Sequence, residues 1–306
     1  AVISKKAWQS TIFFVLRYGA IFLVLCYFYK LKFFDQNAVF AFLFVGLGIL
    51  SASVIYQLVS SADAIVFSSD SVRGGLSGSL SNRNILGLFM GFGLCLGAVA
   101  IRRPLALKFA ALFLFAFFMI FSFSRAAWVG AFCALAFYSA LNLKSLNKKY
   151  LLFTVGFIAL FAVLLALSPS FEQRLAALFS GDSSGRTVIW SYILEMAQQK
   201  PILGYGLGSY INLPGSPVLE HPEYNAPHNL FLEILLYSGV LGLIFYGAIL
   251  FSVFKECIQS RQFGVLALLI YLLIDCQFDH GAYLSKEALS LATILSFLAY
   301  RMRIER

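Results

Sequence analysis

Three residues carry chemistry that solubility does not explain. Arg125 lies in Phe123-Ser124-Arg125-Ala126, between two long apolar runs with almost no connecting loop. A turn this tight keeps the guanidinium near membrane depth, where charge is costly and tends to be functional. The other use of an arginine at a span end is as a snorkelling anchor. Arg186 opens an amphipathic stretch after Asp182-Ser183-Ser184-Gly185. A helix N-terminus attracts anions through its N–H groups and its dipole, so a cation there does little for the helix but helps to hold a diphosphate. The other reading is a solvated loop charge. His228, in Ala226-Pro227-His228-Asn229-Leu230, stands at the mouth of a further apolar run. An imidazole can accept a proton near neutral pH, and Asn229 is placed to cap the helix that follows.

Further candidates surround these three. His221 sits in a similar proline-flanked setting, farther from the span. Arg73 and Arg83 lie in a segment rich in glycine and serine that ends at Asn84; small residues let the backbone approach a ligand closely, or simply make a flexible polar loop. Forked guanidinium groups suit phosphate, which they grip through paired hydrogen bonds. The residues together describe arginines that hold an anionic group and a histidine that takes a proton. That combination suits transfer of a group from a lipid-linked phosphate donor.

No metal or cofactor is expected. Asp182, Glu195, Glu220 and Glu223 are scattered, and Cys26, Cys95, Cys133, Cys257 and Cys276 form no CxxC pair, so neither a metal centre nor a disulfide framework is predicted. Gly204, Gly206 and Gly208 alternate with Tyr205 and Leu207 but follow no strand, which makes them a turn rather than a nucleotide-binding fingerprint. Arg17, Glu233, Asp275 and Asp279 are the charges inside apolar runs, and they lack the repeated spacing of a proton relay or voltage sensor.

The elements that position these residues are membrane spans. The 306 residues are 60% hydrophobic and only 12% charged, with a mean hydropathy of +0.85, against about 25% charged in a soluble domain. Apolar runs of about 18 residues or more read as spanning helices. Nine are predicted: Trp8–Tyr29, Ala38–Ser60, Ile85–Ile101, Leu105–Phe123, Ala126–Leu143, Tyr150–Ser168, Leu230–Phe254, Phe263–Phe278 and Ala288–Tyr300. The net charge of +9 falls largely in short loops, where it sets orientation rather than binding nucleic acid. Lys30/Lys32, Arg102/Arg103, Lys144/Lys148/Lys149, Lys255/Arg261 and Arg301/Arg303/Arg306 share one side, which the positive-inside rule makes cytoplasmic. The opposite side holds Ser61–Asn84, the Ser124–Arg125 turn, Pro169–Asn229 and Asp279–Glu287. An odd number of spans with an external start fits a chain whose first spans lie outside this sequence. Within the long external segment, Val188, Ile189, Tyr192, Ile193 and Met196 recur at helical spacing over Thr187–Gln199. This predicts an amphipathic helix lying at the membrane surface, ended by Pro201. The expected organisation is one membrane domain over 1–306 with an external elaboration over 169–229.

Four stretches carry a resemblance to the O-antigen ligase / O-antigen polymerase superfamily of bacterial inner-membrane proteins. They are Ser81-Asn-Arg-Asn84; Phe123-Ser-Arg-Ala-Ala-Trp128; Gly185-Arg-Thr-Val-Ile-Trp190 running to Lys200-Pro-Ile-Leu-Gly-Tyr-Gly-Leu-Gly208; and Pro227-His-Asn-Leu-Phe-Leu-Glu233 with Gly239-Val-Leu-Gly-Leu243. The resemblance implies an all-α polytopic transmembrane bundle with a long periplasmic loop containing an amphipathic interfacial helix. It implies an undecaprenyl-diphosphate-linked glycan donor, a site facing the periplasm, and no metal dependence. A ligase passes the glycan to a lipid A–core sugar, and a polymerase passes it to another lipid-linked glycan. By the same resemblance Arg125, Arg186 and His228 are the catalytic set. Arg73 or Arg83 is a looser match for a further phosphate contact, and Arg73, Arg83, Asn84, His221 and Asn229 are the expected surrounding substrate-binding residues. Attack opposite the leaving group would invert the anomeric centre. The rival from another class is a transporter of an anionic or lipid-linked solute. The short cytoplasmic loops disfavour it, because they offer no second arginine and histidine cluster.

Overall fold

The computed structural model describes residues 36–60, 75–80, 82–101, 105–141, 185–222 and 224–278, with isolated positions at 159, 163, 172 and 176. These residues are helical with no strand among them: α1 Gln36–Ser60, α2 Arg83–Ala100, α3 Leu105–Phe121, α4 Arg125–Leu141, α5 Arg186–Gln199, α6 Leu230–Gln259 and α7 Phe263–Asp275, with short 3-10 turns at Tyr210–Asn212 and Pro217–Leu219. Among the described residues α1, α2 and α6 are long and apolar enough to cross a membrane, and α3, α4 and α7 are shorter apolar helices. Six expected spans coincide with α1–α4, α6 and α7 to within a few residues. Trp8–Tyr29, Tyr150–Ser168 and Ala288–Tyr300 lie outside the described residues, as do Arg17, Arg73, Glu223 and Asp279.

The described residues fall into two compact units. The first, the bundle unit, holds the described residues within 39–182 and 263–275. Its helices meet over glycines, because close backbone approach is what packs apolar helices in the absence of a hydrophobic drive between them. The ring of Tyr271 on α7 occupies the space a side chain on Gly91 would fill, and it lies 3.1 Å from where a Cβ on Gly130 would stand. Its hydroxyl donates to the carbonyls of Gly87 (3.2 Å) and Leu88 (2.9 Å). Phe44 of α1 stacks on Phe115 of α3 at 6.4 Å. Lys108, 3% exposed, gives its ammonium to the Ala98 carbonyl at 2.6 Å, near the C-terminal end of α2, where the helix dipole favours a cation.

The second unit, the loop unit, holds the described residues within 183–262 and 276–278, together with 36–38. α5 buries Ile189, Ile193, Met196 and Ala197. The first three pack with Tyr210, Leu236 and Tyr237 in one apolar cluster. The helix expected over Thr187–Gln199 is therefore present, and its buried face rests on protein. Val188, expected in the apolar stripe, points outward at 53% exposure.

α6 is continuous in sequence but broken in backbone. Gly239 adopts φ 65°, ψ −164°, a region essentially reserved for glycine. The break releases backbone groups on either side of it, and the Pro201–Gly206 loop takes them up. The N–H groups of Tyr205 and Gly206 donate to the carbonyls of Leu236 (2.8 Å) and Tyr237 (2.9 Å). The N–H groups of Val240 and Leu241 donate to the carbonyls of Pro201 (2.8 Å) and Ile202 (3.3 Å). The expected glycine turn is thus also a splint across a broken helix.

Candidate functional site

Arg83, Arg125 and Arg186 share a position: each is the first residue of its helix, and none of the three helices has an acidic residue in its first turn. A cation at the positive end of a helix dipole costs about 0.3–1 kcal/mol rather than stabilising. At each helix start, taken within its own unit, the N–H groups and the guanidinium together favour an anion. All three side chains are half-buried.

In the bundle unit the Arg125 turn is held from several directions. Phe123 is buried at 2% exposure and takes a left-handed φ of 54°. Ser124 Oγ accepts from the Ala127 N–H at 3.4 Å, capping α4. The Trp128 indole N–H donates to the Met119 carbonyl across the turn at 3.2 Å, and the Leu76 N–H donates to the Phe121 carbonyl at 2.9 Å. A Cβ on Gly87 would stand 2.5 Å from the Ser124 Cβ, so α2 and the start of α4 touch there. Arg83 lies one turn earlier on the same face of α2. The structure thus sets Arg83 and Arg125 at one end of one unit. The cap of α2 is Asn82, whose Oδ1 accepts from the Asn84 N–H at 2.8 Å. Sequence reasoning singled out Asn84 and passed over its neighbour, although an asparagine just before an apolar run is itself a cap signal.

In the loop unit two contacts bracket Arg186 against the segment that carries His228. A side chain on Gly185, at φ 78°, would run into the Tyr224 ring. One turn beyond Arg186, the Trp190 indole N–H donates to the Pro227 carbonyl at 3.0 Å. The half-buried His228 has a left-handed φ of 52°. That conformation is uncommon outside glycine and is enriched at functional positions. Asn229 locks the next residue: its Oδ1 accepts from the Leu232 N–H at 3.0 Å, and its amide donates to the Gln277 carbonyl at 3.2 Å. Replacing it by alanine removes the cap, with an expected loss of about 0.5–2 kcal/mol. Asn229→Asp keeps the accepting oxygen but loses the donor to the Gln277 carbonyl and sets a carboxylate against it, so it should recover only part of the loss; thermal unfolding of both variants in detergent checks this.

His221 is exposed and its ring lies against Tyr224, with centroids 4.9 Å apart. Two tyrosines tie this segment together. Tyr192 donates to the Pro214 carbonyl at 3.0 Å and Tyr210 to the Tyr224 carbonyl at 2.9 Å. Burial, then the neighbouring Tyr205 and Glu195, push the Tyr192 hydroxyl up to about 12. Burial, then Tyr192, raises Tyr210 further above the ordinary tyrosine range. Both remain protonated donors at physiological pH. No group of three or more histidine, cysteine, aspartate or glutamate side chains suited to a metal occurs among the described residues. Arg73 lies outside them.

The described residues thus define a helical membrane protein with arginines at its helix starts and a strained histidine at the mouth of α6. Residues 110–247 match the family described as O-Antigen ligase. That stretch contains Arg125, Arg186, His221, His228 and Asn229; Arg83 and Asn84 precede it. The chain is also similar to curated proteins named "Putative polysaccharide ligase". The one from Rickettsia conorii is 32% identical over 92 residues, 27% of this chain and 22% of that protein. The one from Rickettsia felis is 34% identical over 88 residues, 26% of this chain and 22% of that protein. These findings support a likeness to the O-antigen ligase superfamily, in agreement with the four stretches. The chain spans 22% of the length of both relatives.

Proposed function

We propose that this protein is a membrane glycosyltransferase of the polysaccharide-ligase type. It moves a glycan from an undecaprenyl-diphosphate donor to a lipid A–core sugar, on the periplasmic side of the inner membrane and without a metal. The observation that carries this reading is the arginine at the first position of α2, α4 and α5, with His228 held beside the start of α5 by the Trp190–Pro227 bond. Guanidinium groups at helix starts suit a diphosphate. Arg125 and Arg186 bind the donor's phosphates and stabilise the negative charge that grows on the leaving group. Arg83, with Arg73 as a looser match, adds a phosphate contact. His228 accepts the proton of the acceptor hydroxyl as that oxygen attacks the anomeric carbon. The bond from that carbon to the diphosphate breaks, a glycosidic bond forms, and undecaprenyl diphosphate departs with the electron pair. Attack opposite the leaving group inverts the anomeric centre.

The test uses purified protein with undecaprenyl-diphosphate-linked glycan in EDTA, with and without lipid A–core. Products are read by gel shift and mass spectrometry. The expected outcome is glycan on lipid A–core in the tube that contains it, and unchanged donor in the other. Longer lipid-linked chains without lipid A–core would make the protein a polymerase. Absence of product in both tubes would bring transport forward.

A further inference from the structure

The Pro201–Gly206 loop carries a second message, independent of the reaction. Its apex side chains, Ile202 and Leu203, are 64% and 72% exposed. They are held at a definite height on α6, because Pro201 and Ile202 accept the N–H groups of Val240 and Leu241. The first charged residue after Glu233 toward the far end of α6 is Lys255, and Phe254 before it ends the uncharged run. Val240 stands fourteen residues before Phe254, or roughly 21 Å along a helix that rises about 1.5 Å per residue. A bilayer's hydrocarbon layer is about 30 Å thick. With the Lys255 end at one edge of that layer, the height of Ile202 falls inside it by roughly 9 Å, and tilt of α6 would bring it deeper.

Two further features agree. Val240, Leu241, Ile244 and Phe245 on α6 are all large, apolar and exposed, so the loop apex extends the apolar surface of a candidate spanning helix. Much of the loop's backbone is also bonded to protein, which lowers the cost of bringing irregular backbone against hydrocarbon and leaves the exposed side chains to make the contact. Pro201 brings no N–H group. The carbonyls of Pro201 and Ile202 and the N–H groups of Gly204, Tyr205 and Gly206 are bonded to α6 or, for Gly204, to the Lys200 carbonyl at 3.1 Å.

We propose that the Pro201–Leu203 turn is a re-entrant apolar wedge. Its side chains contact lipid acyl chains in the leaflet on the side of the α6 N-terminus. The wedge fixes α5, which leads directly into it, at the membrane surface.

Spin labels at Ile202→Cys and Leu203→Cys test this, with the native cysteines replaced by alanine and the protein in phosphatidylethanolamine/phosphatidylglycerol vesicles. Phe245→Cys serves as the lipid reference. Leu219→Cys, 68% exposed on the Pro217–Leu219 turn, serves as the aqueous one. Oxygen concentrates in hydrocarbon and a polar nickel chelate is excluded. The oxygen-to-chelate collision ratio at 202 and 203 is therefore expected to match Phe245 and to exceed Leu219 on the order of tenfold. A ratio like that of Leu219 would overturn the wedge. So would low accessibility to both reagents, the signature of a protein partner or a second copy on this surface. A second measurement keeps the native cysteines. The emission added by Leu203→Trp should be quenched when the vesicle lipids carry brominated acyl chains, and undiminished emission would overturn the proposal in the same way.

Discussion

His228→Ala and His228→Asn should both lose turnover by about 10²–10⁴-fold, the usual contribution of a positioned general base, while donor binding is retained. The pair is chosen because His228 has a left-handed backbone, φ 52°. Asparagine enters that region more readily than most residues, so His228→Asn preserves the local conformation and removes only the basic nitrogen. If the loss came from backbone rearrangement, asparagine would retain most activity and alanine would not. Equal losses in the two variants, with donor affinity unchanged, identify the imidazole itself. Arg186→Ala and Arg125→Ala should behave differently, weakening donor binding as well as turnover, because a diphosphate is held before the transition state as well as within it. Turnover of His228→Ala at the parent rate with bound donor would refute the base assignment.

The second large effect falls on a residue that touches no substrate. Gly239→Val should cost several kcal/mol of stability, roughly 1–3 from the forced backbone conformation alone, with further loss from overlap. A Cβ there would collide with the Ile202 carbonyl, and that carbonyl is the acceptor for the Leu241 N–H. The substitution therefore strains the break and dislodges the loop that satisfies it, and the N-terminal part of α6 that carries Asn229 loses its brace. Gly247→Ala is the matched control. It lies on the same helix, has no heavy atom within 4 Å of the added methyl, and should be neutral or stabilising by about 0.5–1 kcal/mol. Thermal unfolding of the two variants in detergent separates the cases. A Gly239→Val protein as stable as the parent would mean the break is not maintained.

Much of the helical framework could be read from the sequence because its signal is long. Apolar runs of span length marked α1–α4, α6 and α7, and the Arg186–Gln199 helix was announced by a periodic pattern closed by a proline. The break at Gly239 was not legible. Its flanks are apolar on both sides, so neither hydropathy nor periodicity changes there, and a glycine within a span is common. The loop that completes the break lies over thirty residues earlier, and the two segments stood out in sequence only as separate motifs. Val188, read as part of the apolar stripe, falls outside the face packed on protein, because an amphipathic stripe fixes a face only to within about one residue. The candidate residues stood out by their chemistry and not by their organisation. Arg125 and Arg186 stood out as charges in costly places. That Arg83 shares their position, as the first residue of a helix, needed the helix boundary.

The place of Tyr271 has a consequence for how the chain is made. Its hydroxyl bonds to the carbonyls of Gly87 and Leu88, 184 and 183 residues earlier. Ribosomes add about 5–20 residues per second, so roughly ten seconds or more separate the synthesis of the two partners. For most of that interval α2 and α4 have been made while α7 has not, so Gly91 and Gly130 lack the Tyr271 cover, the kind of small-residue surface on which helices associate in lipid. The bundle unit is therefore completed by the late arrival of α7, and its nascent form is the stage most open to wrong pairing or to a chaperone that covers those glycines.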